Sequence, residues 1–236
     1  MLAPEGRVIM VTGANRGIGL AIARCLHGKG YTLSLGARDT AKLDAATADM
    51  AGERLMTHAY DATDTASNEA WVAATAERFG RIDGLVNNAG IGLDANLEDD
   101  DEDAFDRMWA VNAKGPLRMI RLALPHLRAS GSGRIVNLSS LSGKRVTNVG
   151  TGYAMSKFAL MALSHGARRA AWDDGVRVTA LCPGMVRTEM TAEMDYPRDE
   201  MIQPEDLAEL AAVAIALPNT ASVAEMLVNC RYEEML

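Results

Sequence analysis

Two residues set up a proton-transfer problem. Tyr153 and Lys157 are four apart, so on a helix they share one face within reach of each other. A free tyrosine titrates near ~10, so about one molecule in a thousand is phenolate at neutral pH. A neighbouring ammonium favours the phenolate, and lowering the pKa by about three units corresponds to ~4 kcal/mol. Such a tyrosine serves as general acid toward a carbonyl oxygen, or as general base toward an alcohol. Ser140, thirteen residues upstream and just past an apolar run, can hydrogen-bond the reacting oxygen. A Tyr-x-x-x-Lys pair alone recurs by chance, so the reading depends on what else the chain holds.

The second feature is the stretch Thr12-Gly13-Ala14-Asn15-Arg16-Gly17-Ile18-Gly19, directly after the first apolar run. Glycines permit a tight turn and a close backbone approach to a pyrophosphate, which then rests on the N-terminus of the following helix. The spacing is G-x-x-x-G-x-G rather than G-x-G-x-x-G.

Positioning these groups requires an alternating framework. Short apolar runs at 7–11, 31–35, 55–60, 84–87, 134–139, 177–182 and 224–229 read as strands. Segments such as 19–29, 40–51 and 66–79 carry helical apolar spacing. Alternation of this kind predicts an α/β fold, a Rossmann-like doubly wound parallel sheet of about seven strands with helices on both faces. No Pro/Gly/Ser linker or internal repeat divides the 236 residues, so one domain over 1–236 is expected.

Composition excludes several classes. There are 24 basic and 31 acidic residues, net −7, and six of the acids form the run 98–103; removing its six charges from −7 leaves the rest of the chain at −1. That is no nucleic-acid footprint. The run reads as a solvated start for the helix that Phe105, Met108, Trp109 and Val111 outline. Cys25, Cys182 and Cys230 form no CxxC pair, and the four histidines share no ligand spacing, so no metal is expected. The 48% hydrophobic content fills a core. No stretch approaches the ~20 apolar residues of a membrane span, and the N-terminus lacks a signal-peptide layout. A cytoplasmic protein is expected, without a membrane or nucleic-acid partner.

Taken together, these motifs resemble the short-chain dehydrogenase/reductase family, in its compact single-domain branch. Thr12 through Gly19 is similar to the family's cofactor signature, Asn87-Asn88-Ala89-Gly90 to its N-N-A-G element, and Pro183-Gly184 to the turn bordering the nicotinamide. Asn112, Ser140, Tyr153 and Lys157 fall at its catalytic positions. The resemblance runs nearly unbroken to Thr188.

It implies that Gly13, Asn15, Arg16, Gly17, Ile18 and Gly19 hold the cofactor from the first turn. Asp61 and Ala62 would lie against the adenine, and Asn88, Ala89 and Gly90 along the next edge. Pro183, Gly184, Val186 and Thr188 would border the nicotinamide, whose ribose Tyr153 and Lys157 also touch, while Asn112 anchors a water relay. A substrate-covering loop is expected near 185–202, with Met185, Met190, Met194 and Met201 as either an adaptable apolar lid or core contacts.

Family alignment puts Ala37 where NAD-using relatives carry an acid, with Arg38 after it. Arg16 and Arg38 would then flank a 2′-phosphate, so NADP is preferred over NAD. Asp39 reads as the cap of the next helix. The expected reaction interconverts an aldehyde or ketone and its alcohol by hydride transfer. Lys144, Arg145 and Arg187 near the site read as solvated charges, so the substrate is expected to be uncharged. Two alternatives are weighed. A dinucleotide-binding regulator without activity is disfavoured by the retained Tyr-Lys pair, and an extended sugar-nucleotide enzyme by the chain's length. Many relatives end in a Gly-rich tail, which this chain replaces with residues 227–236. A homodimer or homotetramer is expected.

Overall fold

The computed structural model describes residues 1–50, 52–99 and 102–232. Seven parallel strands make up the sheet: β1 (Val8–Thr12), β2 (Thr32–Ala37), β3 (Leu55–Ala59), β4 (Gly84–Asn87), β5 (Arg134–Leu138), β6 (Arg177–Pro183) and β7 (Glu225–Val228). Their spatial order is β3-β2-β1-β4-β5-β6-β7. The helices between them are α1 (Gly17–Gly28), α2 (Thr40–Thr47), α3 (Thr65–Phe79), α4 (Asp103–Trp109), α5 (Gly115–Ala129), α6 (Thr151–Ala170) and α7 (Pro204–Ala216). This is the expected α/β Rossmann-like arrangement. Strand order reverses between β1 and β4, and the crevice beyond their carboxyl ends is where such sheets take ligands.

The central strands are buried along their whole length, as a sheet covered on both faces requires. Side chains alternate between two cores. Ile9, Val11, Leu33 and Leu35 meet Ile22 and Leu26 of α1 and Leu207 and Ala211 of α7. Met10, Leu85, Ile135 and Val178 meet Trp71 of α3 and Met119, Ile120 and Leu127 of α5. Each strand edge falls within a residue or two of its sequence-based range. The helix expected over 40–51 narrows to a 3₁₀ turn at Ala48–Met50, and Ala51 lies outside the described residues.

Asp39 does cap α2: its carboxylate accepts the Lys42 backbone N–H at 3.0 Å. In the acidic run, Asp100 and Asp101 lie outside the described residues. Asp103 and Asp106 occupy the first turn of α4, where carboxylates complement the helix dipole. Beyond Trp109 the helix widens into one π-turn, Ala110–Lys114, before α5. In the atypical tail, the Arg231 guanidinium lies 5.9 Å from the Tyr196 ring centroid, so the chain end returns over the segment after β6. Residues 233–236 lie outside the described ones.

Candidate active site

A cleft of about 700 Å³ opens at the switch point. Its floor is the Gly-rich turn, where Gly13 and Gly17 adopt φ of 66° and 53°, a region that side-chain-bearing residues avoid. A Cβ on Gly13 would sit 3.0 Å from Ala89 Cα; one on Gly19 would lie 2.4 Å from both Asn88 Nδ2 and the Gly13 carbonyl. Gly13 and Gly17 therefore border the cleft together with Asn15, Arg16 and Ile18. Gly19 is buried behind them, and its role is to let the β4 loop close on the turn.

Thr12 completes that closure. Its hydroxyl accepts the Asn88 and Ala89 N–H groups, both at 2.9 Å, while Asn88 Nδ2 donates to the Thr12 and Gly13 carbonyls. The first turn of α1 has no side-chain cap and no acid, so its orphan N–H groups and positive dipole end await an anion. These residues fit the diphosphate of a dinucleotide.

The far end of the cleft is formed by Arg38, Asp61, Ala62 and Thr63. Asp39, engaged as the α2 cap and with Lys42 Nζ at 3.3 Å, does not line it. The Thr63 N–H and hydroxyl bind one Asp61 oxygen at 2.8 and 2.7 Å. These bonds, the backbone one foremost, hold the Asp61 carboxyl below its ordinary pKa, with the Arg38 charge acting in the same sense. Arg16, which lines the cleft, also has a partner that the sequence did not show. Its guanidinium is bonded to Glu189, across the cleft mouth on the segment after β6.

The Tyr153–Lys157 pair sits beyond Gly90. Tyr153 and Lys157 occupy successive turns of α6, with Lys157 Nζ 5.5 Å from the Tyr153 ring centroid. Lys157 Nζ also donates to the Leu138 carbonyl at 2.9 Å. Burial lowers its pKa to about 8. Burial also pushes the Tyr153 phenol up to about 12, against the hydrogen bond from Ser140, which pulls it down. The expected depression of the tyrosine is therefore not a property of the protein alone. The ammonium lies over the ring and is tethered to a carbonyl, and desolvation of the phenolate outweighs the pull of the Ser140 hydrogen bond.

Ser140 caps the 3₁₀ turn Leu141–Gly143, its hydroxyl accepting the Ser142 N–H at 3.1 Å. The neighbouring Ser139 hydroxyl instead turns to the Lys157 carbonyl at 3.3 Å.

Asn112 lies in the π-turn. Its Oδ1 accepts the Ile91 N–H at 2.9 Å, and its Nδ2 donates to the Ile91 carbonyl at 2.8 Å and to Ser156 Oγ at 3.0 Å. Ser156 in turn donates to the Tyr153 carbonyl at 2.7 Å. Both Asn112 amide hydrogens are thus spent on joining the β4 loop to α6. A Cβ on Gly90 would fall 3.3 Å from Asn112 Oδ1 and 3.7 Å from Lys157 Nζ, which brings these three residues together.

The remaining expected residues divide. Thr188 lines the cleft and abuts Gly17. Pro183 is buried at the end of β6, its carbonyl 3.5 Å from the Ser140 hydroxyl, and the Gly184 N–H donates to Val228. Val186 belongs to the core: it is buried, bridges to Ile202, and its carbonyl accepts the Thr191 hydroxyl.

The methionines of this segment split as well, Met190 and Met194 being exposed and Met201 buried. Of the three cations expected at the surface, Lys144 pairs with Glu225 at 2.7 Å and Arg187 is exposed, but Arg145 is buried. Sequence reasoning assigned nothing to Ser156 or Glu189, and nothing in their local pattern marks them. Thr12 was visible as the first letter of the glycine motif.

Among the described residues no His, Cys, Asp or Glu cluster is suited to a metal, and no helix is long and apolar enough to cross a membrane.

A parallel sheet with a glycine turn at its switch point and a Tyr-Lys pair on the helix after β5 defines a dinucleotide-binding oxidoreductase scaffold. Residues 7–199 match the family model described as short chain dehydrogenase, and the chain belongs to that family. Among relatives, an agropine synthesis reductase of Rhizobium rhizogenes is 47% identical over 98% of this chain and 54% of its own. The chain thus spans about half the length of that relative. An alcohol dehydrogenase of the archaeon Thermococcus sibiricus, solved with 5-hydroxy-NADP, superposes with a TM-score of 0.88 at 32% identity, over 97% of this chain and 98% of that one. A 3-ketoacyl-(acyl-carrier-protein) reductase of Brucella melitensis, solved with NADH, gives 0.88 at 28% identity, over 96% and 98%.

Proposed function

We propose that this chain is an NADP(H)-dependent oxidoreductase interconverting an aldehyde or ketone and its alcohol on one dinucleotide-binding domain. The segment 185–202 would cover the substrate. One observation carries the reading: the Tyr153 hydroxyl is bonded to Ser140 with Lys157 beside its ring, and the far end of the neighbouring cleft holds Arg38 next to Asp61 while Asp39 does not line it.

The cofactor, when bound, supplies or receives the hydride. Ser140 holds the substrate oxygen and Tyr153 delivers its proton. A phenol near 12 is fully protonated at neutral pH, so the acid needed for reduction is loaded at rest. Lys157, near 8, is largely an ammonium under the same conditions and offsets the charge left on the tyrosine. Gly13, Gly17 and the first turn of α1 receive the diphosphate, Asp61 and Ala62 flank the adenine, and Arg38 reads the 2′-phosphate. That neighbours were solved with NADP-type and NADH cofactors makes Arg38 the decisive residue here.

A homo-oligomer is part of the proposal. Trp109 of α4 and Met155 and Phe158 of α6 are exposed on adjoining helices, and an apolar patch of that kind marks a contact surface.

The test follows NADPH absorbance with a panel of aldehydes and ketones, for the wild type and for Tyr153→Phe. Turnover that Tyr153→Phe abolishes while NADPH still binds is expected. A variant keeping a tenth or more of the activity refutes the assignment. Tight cofactor binding with no turnover on any carbonyl would leave the regulatory alternative.

A further inference from the structure

The charged side chains that line the cleft among the described residues balance: Arg16, Arg38 and Arg107 against Asp61, Asp106 and Glu189. The cleft therefore offers no surplus of positive charge, and the present partner of each arginine decides what a phosphate can recruit. Asp61 is close enough to Arg38 to feel its charge. Arg16 is joined to Glu189, with side chains 62% and 71% exposed. An ion pair that open to water is weakly held. The backbone presenting Glu189, by contrast, is fixed. Thr188 starts the 3₁₀ turn Glu189–Thr191, and the Thr191 hydroxyl donates to the Val186 carbonyl. A Cβ on Gly17 would lie 3.4 Å from Thr188 Cγ2, so the turn also abuts the Gly-rich loop that carries Arg16. A change of partner at Arg16 needs only the two side chains to swing.

We propose that Glu189 is a specificity-determining residue: it holds Arg16 away from the 2′-phosphate of the cofactor and so limits the preference for NADP(H) over NAD(H). The inference rests on the proposed cofactor reading and deepens it. A phosphate monoester carries about −1.5 to −2 charges at neutral pH, against a single charge on the carboxylate. It also accepts paired guanidinium N–H bonds. Arg16 therefore exchanges Glu189 for the phosphate, and the carboxylate, already mostly exposed, returns to water. Binding of NADPH carries the loss of the ion pair. With NADH the pair stays closed, and no such loss arises.

The experiment measures Kd for NADPH and NADH by cofactor fluorescence in the wild type, Glu189→Gln, Arg16→Leu and the double variant. Arg16→Leu should weaken NADPH about 10-fold, the lower scale for a charge-assisted hydrogen bond, and leave NADH nearly unchanged. Glu189→Gln releases Arg16 and should tighten NADPH about 2- to 5-fold, the scale of an exposed ion pair, with NADH again unchanged. In the double variant that gain should vanish, because the carboxylate acts only through Arg16. Equal tightening of both cofactors, or a gain that persists in the double variant, is plain charge repulsion and overturns the proposal. So does an unchanged or weaker NADPH Kd in Glu189→Gln, the weaker one making the pair a clasp over bound cofactor. An Arg16→Leu variant with the wild-type ratio of NADPH to NADH affinity overturns it too, and leaves the reductase reading standing on Tyr153 and Arg38. A wild type that binds neither cofactor overturns both.

Discussion

Ser156→Ala removes one hydroxyl with two partners, and its cost follows from them. Ser156 and Asn112 are each 1% exposed. Without the serine, the Asn112 Nδ2 hydrogen now bonded at 3.0 Å has no acceptor and no access to water. A stranded buried donor costs about 1–3 kcal/mol. The Tyr153 carbonyl, which accepts from Ser156 at 2.7 Å, remains within a helical ladder and adds less. Stability should therefore fall by about 1–3 kcal/mol, or about 2–12 °C in Tm for a chain of this size.

The more telling effect is kinetic. Ile91, Asn112, Ser156 and the Tyr153 carbonyl form one chain of bonds from the cleft edge to α6, and, with Tyr153 as the proposed proton donor, small displacements of it cost large factors in rate. We expect kcat to fall on the order of 10-fold, with NADPH affinity held. Thermal denaturation and steady-state kinetics of Ser156→Ala, Asn112→Ala and the double variant complete a cycle, whose coupling should be at least about 0.5 kcal/mol. Additive losses, or a Ser156→Ala enzyme with wild-type Tm and kcat, would refute the reasoning.

Three further outcomes are expected. Arg38→Ala should weaken NADPH roughly 10- to 100-fold, since a charge-assisted hydrogen bond is worth about 1.5–3 kcal/mol, and should leave NADH nearly unchanged in fluorescence titrations; equal losses show that Arg38 does not read the phosphate. Reductive kcat should decline as pH rises through about 8, where Lys157 loses its proton, because the charged form is the one that supports the departing tyrosine proton. A profile still level at a pH of about 10, well past that titration, removes Lys157 from this role. Gly36→Ala should destabilise by about 1–3 kcal/mol through overpacking, because its Cβ would meet the Trp71 ring at 2.7 Å while the Trp71 indole N–H is committed to Ser34 at 2.8 Å; unchanged Tm would mean that Trp71 moves freely.

What the sequence made legible follows the physics of each signal. Strand edges were readable because a sheet buried on both faces needs unbroken apolar runs, and β4 was placed to the residue at Gly84–Asn87. The Gly-rich turn was readable because its backbone geometry admits few residue types. Asp39 was readable as a cap because a carboxylate two residues after a strand satisfies the orphan N–H groups of α2.

What the sequence did not show has a different origin. Arg16 lines the cleft, and what the sequence did not show is its partner Glu189, 173 residues away, because no local pattern reports a pairing of that separation. Arg145 read as solvated because arginine at the surface is the common case, while its burial depends on residues distant in sequence, and Arg231 is close enough to act on its charge. The ionisation of Tyr153 was argued from neighbouring charge, and a pKa also sums desolvation and hydrogen bonding, of which desolvation is a property of everything packed around the phenol. The same reasoning makes the resting state meaningful. A tyrosine kept protonated by its own pocket, beside a lysine whose burial brings it near 8, is a proton donor until a positively charged ring and an ordered substrate oxygen arrive to change the balance. On the proposed function, any lowering of the Tyr153 pKa would have to come from the bound cofactor and substrate, because burial within the protein acts in the opposite sense.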